Sequence, residues 1–361
     1  MTTKKACIST KYTSTTKNSY KILLTFLQAL VGGMVFYVLN LPLPWTLGPL
    51  AVILVLQLGF NKVVYWPAVL RKGALVVLGI TMGSPFTMTT ARQIVDQLPV
   101  MLAATAATIA VSLFMGYITH KRTGVDLASG LLGSVPGGLS QMAVLSKELN
   151  ADATVVTFMQ TLRLLAVVFT VPFLARHGLA EVVDTAIQRT TAQSTMEPGT
   201  AIFFVTAVLI GSLAAQRIGL PTPWMLGPTL VTAALVCSGL EPLPMPTWLI
   251  TVAQVSTGIY MGANIKAESM SNWKTLLPYT VSGIVGILLC SFAIGFILKA
   301  LYGYSLVTAF LGTAPGGVAE MGLTAMMVHA DLSVVISYQM FRLLFILLVV
   351  PIALKWTLKK M

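Results

Sequence analysis

The sequence predicts an all-α, polytopic membrane protein made of two tandem copies of one helical unit. Three observations carry that prediction. Of 361 residues, 56% are hydrophobic and only 9% are charged, against about 25% charged in a soluble domain. So little charge cannot cover a water-facing surface of ordinary polarity. Several apolar runs, such as 201–214 with its flanks and 276–298, approach the ~20 residues that cross a bilayer. Lastly, the two halves of the chain match each other at one constant offset.

Leu-Pro-Leu-Pro-Trp-Thr-Leu-Gly-Pro at 41–49 returns as Leu-Pro-Thr-Pro-Trp-Met-Leu-Gly-Pro at 220–228. Leu-Gly-Ser-Val-Pro-Gly-Gly at 132–138 returns as Leu-Gly-Thr-Ala-Pro-Gly-Gly at 311–317. Trp224 follows Trp45 by 179 positions, and Pro315 follows Pro136 by the same 179. The same step relates Gly79 and Gly83 to Gly258 and Gly262, Asp152 to Asp331, Gln160 to Gln339, Arg163 to Arg342 and Pro172 to Pro351. Self-similarity at one fixed step, with no gap between anchors, is the mark of a duplicated unit. The copies cover about 21–175 and 200–354, with a polar linker at 176–199.

Residues 1–20, rich in Lys, Thr and Ser, read as a disordered cytoplasmic tail. The first apolar run, 22–39, lacks a small-residue cleavage site after it and stays as a helix. Apolar segments then fall near 22–40, 45–60, 73–88, 98–119, 127–146 and 153–175, and 179 positions further on. Pro44-Trp45 and Pro223-Trp224 read as interfacial turns with the indole at headgroup level. The glycine pairs 79/83 and 258/262 have the spacing that lets membrane helices approach closely. Asp152 and Asp331, just ahead of the sixth segments, sit where N-caps belong. Residues 355–361 form a basic cytoplasmic tail.

The fifth segment of each copy contains Pro-Gly-Gly. Proline removes a backbone donor and glycine loosens a helix, so this segment is predicted to be broken or re-entrant. Five crossings per copy would make the repeats inverted and six would make them parallel, ten to twelve transmembrane helices in all. The overall Lys and Arg distribution fits both arrangements. In the second copy, Arg217, Lys266 and Lys274 are cytoplasmic only if the copies are inverted, against Lys299 if they are parallel, which favours inversion.

The breaks supply the candidate binding residues. A helix interrupted inside a membrane leaves unpaired N–H groups at the start of its second half, a site for negative charge or a polar solute. Paired breaks in two repeats point to a transport site, which singles out Pro136, Gly137 and Gly138 with Pro315, Gly316 and Gly317. The alternative is a kink that improves packing. Gln141 and Glu320 occupy equivalent positions, and Glu320 is the only carboxylate well inside an apolar segment. A carboxylate there must be paired or protonated, so it is a candidate for a coupling proton or cation, or else for a structural bond to a neighbouring helix. Arg163 and Arg342 lie mid-segment and stay charged. Each can hold an anionic group bidentately, or pair within the protein, Arg342 with Glu320 and Arg163 with Gln141 and carbonyls. Gln160 and Gln339, three residues earlier, share the arginines' helix face.

The net charge of +12 would suggest nucleic acid on a soluble surface, but here the basic residues sit between apolar runs, as orientation signals do. The three cysteines (Cys7, Cys237, Cys290) and three histidines (His120, His177, His329) are scattered, so no metal or cofactor is expected. No phosphate-binding Gly-x-x-x-x-Gly-Lys-(Ser/Thr) loop occurs, which argues against ATP as the direct energy source.

The paired Pro-Trp-x-Leu-Gly-Pro, Leu-Gly-(Ser/Thr)-x-Pro-Gly-Gly and Gln-x-x-Arg-Leu-Leu stretches resemble the bacterial AbrB-type membrane protein family over nearly the full length, duplication included. The resemblance implies a multi-pass protein of the bacterial inner membrane, here with a cytoplasmic N-terminus. The family has been labelled both as regulators of gene expression and as candidate ammonia monooxygenases. An oxygenase would need a copper or iron site that these residues do not offer, and direct regulation would need a DNA-reading module for which the soluble tails are too short. The expectation is a secondary transporter or exporter of a small anionic or zwitterionic metabolite, with Glu320 coupling it to protons. The alternatives are a membrane sensor acting indirectly on gene expression, and a membrane enzyme, which is disfavoured. The expected partners are the bilayer, the solute and further copies of the chain.

Overall fold

The computed structural model describes residues 3–60, 64–137, 142, 145–146, 148–179, 198–220, 222–265 and 273–359, with no strand among them. Fourteen α-helices are described in full: α1 Thr3–Val38, α2 Pro44–Leu54, α3 Ala68–Gly83, α4 Met88–Asp96, α5 Leu98–Thr123, α6 Leu127–Ser134, α7 Ala153–Leu174, α8 Pro198–Arg217, α9 Pro223–Cys237, α10 Thr247–Asn264, α11 Trp273–Tyr302, α12 Leu306–Thr313, α13 Val318–Met327 and α14 Leu332–Lys359. A π-helical turn extends α2 over Val55–Gly59 and another extends α7 over Ala175–Leu179. Most of the linker expected at 176–199 lies outside the described residues.

Among the described residues, six helices are long and apolar enough to cross a membrane, or up to seven spans if α3 and α4, bent by 88° at their junction, form one. The chain is thus an all-helical protein of the multi-pass membrane type. Ten to twelve full-length crossings do not appear among the described residues, for a physical reason. At about 1.5 Å per residue, the 15-residue α9 falls short of the ~30 Å hydrocarbon core, and α12 and α13 are half-helices. The N-terminal stretch also differs from expectation: α1 begins at Thr3, so its backbone is helical through a polar region read as disordered. That region contains no Gly or Pro to stop a helix propagating back from the apolar run.

Some junctions follow directly from sequence. Leu43 and Thr222 adopt left-handed backbone (φ 46° and 43°), and Pro44 and Pro223 begin the next helix, where a missing N–H costs nothing. Asp152 Oδ1 accepts from Thr154 N (2.8 Å) and Val155 N, and Asp331 Oδ1 from Ser333 N (3.0 Å) and Val334 N. These are the predicted N-caps. The helix α4 was not predicted. It is set by Thr87, whose hydroxyl accepts from Thr90 N while Thr90 Oγ1 accepts from Thr87 N, a reciprocal cap.

The chain divides into two compact bodies, Met1–Gly79 with Met245–Ala267, and Ile80–Pro244 with Glu268–Met361. In the smaller body α1, α2 and α10 meet through glycines. A side chain on Gly32 would strike Gly48 O, one on Gly48 would strike Gly32 O, and one on Gly258 would strike Thr46 O. Such contacts let backbones approach to their van der Waals limit, which is how membrane helices associate without a hydrophobic drive between them. Around them lie Ala29, Ile53, Val255 and Ile259. Arg71 donates to Tyr260 Oη (2.9 Å) with its guanidinium 3.8 Å above that ring.

The larger body repeats such contacts at the same offset: Gly227 packs on Gly211 O and Ser212 as Gly48 does on Gly32, and Gly83, at the end of α3, packs on Thr229 O in α9 as Gly262 does on Leu50 O. Elsewhere in this body α5 lies along α6 and α11, α11 along α12 and α7, and α14 along α12 and α13. Helices from the first and second halves of the sequence therefore interleave. The windows most buried inside the protein belong to α14 and α7, 61% and 44%, against 22–33% for the other four spans. These two helices carry Arg342 and Arg163.

Candidate functional site: two broken helices and the arginines that face them

The predicted break is present in the larger body. The helix α12 begins at a cap in which Ser305 Oγ accepts from Thr308 N (3.2 Å), and it ends at Thr313. Ala314 turns into extended backbone (φ −60°, ψ 141°), Gly316 N closes a tight turn onto Ala314 O (2.8 Å), and Gly317 leads extended into α13. A side chain on Gly316 would crowd Met321 and one on Gly317 would displace the Glu320 carboxylate. In the first half α6 likewise ends at Ser134, Val135 is extended, and Gly137 N bonds Val135 O (2.8 Å). Gly138 and Gln141 lie outside the described residues.

Ending a helix inside the protein leaves its last carbonyls without partners, at the negative pole of its dipole. Those carbonyls are what the predicted polar stripe answers. Gln339 Nε2 donates to Leu311 O (2.6 Å) and Ala314 O (3.0 Å). Arg342 donates through Nη1 to Thr313 O (3.1 Å) and Ala314 O, and through Nη2 to Gly316 O (2.7 Å) and Gln339 Oε1. In the first half Gln160 Nε2 donates to Leu132 O (2.7 Å) and Val135 O (2.8 Å), and Arg163 to Val135 O (2.8 Å) and Gly137 O (3.2 Å). Leu132 and Leu311, Val135 and Ala314, and Gly137 and Gly316 are each 179 residues apart.

This arrangement alters one expectation. The terminal nitrogens of both arginines bind main-chain oxygens. For Arg163 this is the carbonyl pairing expected as an alternative, whereas Arg342 was expected on a solute anion or Glu320. In a medium of low dielectric an orphaned carbonyl and an unpaired guanidinium are both costly, and each satisfies the other. Glu320 also differs from expectation. It is half-buried rather than deep, and it stands third in α13 after the N-cap Gly317, with its carboxylate folded back over that residue. Negative charge is favoured at a helix N-terminus. Each break therefore has cations at its carbonyl end, and the second has an anion at its amide end.

Two narrow crevices adjoin the breaks, each of about 10 Å³, room for about one water. Ser134, Met159 and Arg163 line one, and Thr313, Tyr338 and Arg342, their counterparts at +179, line the other. The first is completed by Ile284 and Ile287 of α11 and the second by Thr105 and Thr108 of α5, again at +179. Their bonding differs. Arg342 Nη2 is bound by Gln339 Oε1, whereas Arg163 Nε and Gln160 Oε1 are buried with no partner. Among the described residues, no three His, Cys, Asp or Glu side chains gather to hold a metal.

Residues 54–358 match the family model described as "Transition state regulatory protein AbrB". A Bacillus subtilis (strain 168) relative, "Uncharacterized protein YhjN", is 26% identical over 347 residues, 89% of this chain and 88% of its own length. An Escherichia coli (strain K12) relative, whose name marks it as a candidate regulator, AbrB, is 24% identical over 316 residues, 88% and 90% of the two lengths. With the matched region covering most of the sequence and the paired motifs within it, the chain belongs to the AbrB family of helical membrane-type proteins.

Proposed function

We propose that this protein is a secondary carrier that moves a small anionic or zwitterionic solute across the bacterial inner membrane. One observation carries the reading: two helices broken at corresponding positions, each with a buried arginine and glutamine at its carbonyl end. Intramembrane ionisable groups and non-helical backbone at membrane depth are expensive, and they persist where they serve a pathway. Discontinuous helices at equivalent places in two repeats are the recurrent construction of carriers. The recurrence of hydrogen bonds and crevices at one offset supports two related half-sites. The crevices admit little more than a water, so this reading assigns the structure to an occluded state that must open to either side. In this reading the protein is not an enzyme and acts on gene expression, if at all, through the solute it moves.

A second reading, a sensor that binds the same solute without moving it, draws on the name of the Escherichia coli relative. A screen of metabolites by thermal shift first identifies a ligand, since a compound that binds the folded form raises its melting temperature. Uptake of that ligand, labelled, into proteoliposomes then separates the readings. The carrier predicts uptake above protein-free vesicles. Glu320→Gln keeps the size of the side chain and removes its titratable charge, so it should keep binding and stability while abolishing the effect of a pH gradient on uptake. PH-driven uptake that survives Glu320→Gln removes Glu320 as the coupling group, and binding without uptake removes the carrier.

A further inference from the structure

The two crevices share a frame but differ in lining and in how far their polar atoms are satisfied, and that difference names a ligand class. In the crevice beside Arg342, the positions of Met159, Ile284 and Ile287 are taken by Tyr338, Thr105 and Thr108. Its Gln–Arg pair is closed on itself. The crevice beside Arg163 has walls of Met115, Met159, Ile284 and Ile287, with hydroxyls brought by Ser134, Tyr279 and Thr280. Arg163 is 7% exposed, and its Nε has no partner. A buried guanidinium N–H left unbonded is costly, and Gln160 Oε1, also without a partner, lacks the bond that its counterpart Gln339 Oε1 accepts from Arg342.

Resting on the carrier reading, we infer that the Arg163 crevice is the solute subsite and that it takes a monocarboxylate with a small branched or cyclic apolar body. A carboxylate accepts from Arg163 Nε and the hydroxyls, one charge answering one cation. The apolar walls reject a second charge, which would be buried unpaired. Thioether side chains form the movable part of the wall. A side chain on Gly133 would strike Met159 Sδ, and one on Gly286 would come to 3.0 Å of Met115 Cε, so both methionines fill space that glycine leaves. Long unbranched side chains of this kind can withdraw to admit a ligand.

The test is equilibrium binding by the purified full chain in detergent, with isovalerate, its neutral amide isovaleramide, and the dicarboxylate malonate as probes. Isovalerate should raise the melting temperature and give a calorimetric binding isotherm, and the other two should not. Ile287→Thr, which installs the residue found at the equivalent position of the other crevice, should weaken isovalerate at least tenfold while leaving the unliganded melting temperature within a few degrees. Arg163→Lys should abolish binding; if that variant fails to fold, Ser134→Ala, with an expected loss of several fold, serves in its place. Equal binding of malonate or the amide, no binding of any probe, or isovalerate affinity unchanged by Ile287→Thr each overturns the inference. Binding in the expected pattern without uptake into proteoliposomes would sink the carrier and leave the subsite standing. Uptake of isovalerate that is indifferent to Ile287→Thr would do the reverse.

Discussion

Arg163 and Arg342 have to be understood through the carbonyls they touch. A guanidinium offers five donors in a fixed fork, and a helix that stops at Thr313 offers a cluster of acceptors within a few ångströms of one another. Arg342 spans three of them, Thr313, Ala314 and Gly316, while Gln339 takes Leu311 and shares Ala314. Arg342→Met should therefore destabilise the protein by about 2 kcal/mol or more, since hydrogen bonds to a charged group are worth ~1.5–3 kcal/mol and several carbonyls would be orphaned together. Unfolding in mixed detergent and denaturant measures this, and a variant as stable as the parent would show that the carbonyls find other donors. The residue types and their three-residue spacing were readable from the chain. Their partners were not, because Leu311 and Gly316 lie 28 and 26 residues away and nothing local says which carbonyls a break will strand. The N-cap aspartates, whose partners are two and three residues away, were readable in full.

At the scale of elements, the same contrast separates what composition dictates from what packing decides. Pro-Gly-Gly announces a break wherever it falls, and the ends of α6 and α12 match it. The apolar runs announced the long helices. The bend between α3 and α4 depends on a threonine cap that a scan for apolar segments passes over, and the shortness of α9 follows from where the chain turns at Gly239 (φ 96°) rather than from loss of hydrophobicity. Glycine spacing was readable as close approach, but the partner was not. Gly258 of the second half packs on Thr46 of the first, and Gly83 of the first on Thr229 of the second, an exchange that no single copy encodes. Gly258→Ala places a methyl against Thr46 O and should cost about 1–3 kcal/mol, as overpacking generally does. The same substitution at Gly239, with open space around it, should instead act through its positive φ. Melting curves of the two variants compare these effects, and an unchanged melting temperature for Gly258→Ala would mean that α2 and α10 separate without loss.

At the scale of the whole molecule, hydrogen bonds, caps, positive-φ residues and crevices recur 179 positions apart. Asn40, Leu43, Gly124 and Asn150 have left-handed counterparts at Gly219, Thr222, Gly303 and His329. We expect the copies to be inverted in the membrane. Single cysteines at Lys274 and Lys299, in a background without the native cysteines, then differ in reactivity to an impermeant maleimide added from outside intact cells. Lys299→Cys should label and Lys274→Cys should not, and the opposite pattern would make the copies parallel. Inversion matters because two halves of opposite orientation can exchange conformations. A closed Gln–Arg pair in one half beside an open one in the other is what such an exchange requires at any instant. The central claim, that the breaks belong to a carrier, is tested most directly by counterflow. Proteoliposomes preloaded with a high concentration of unlabelled ligand and diluted into trace labelled ligand should accumulate label transiently above its equilibrium level. Label that rises only to equilibrium, at the rate seen in protein-free vesicles, would contradict the account.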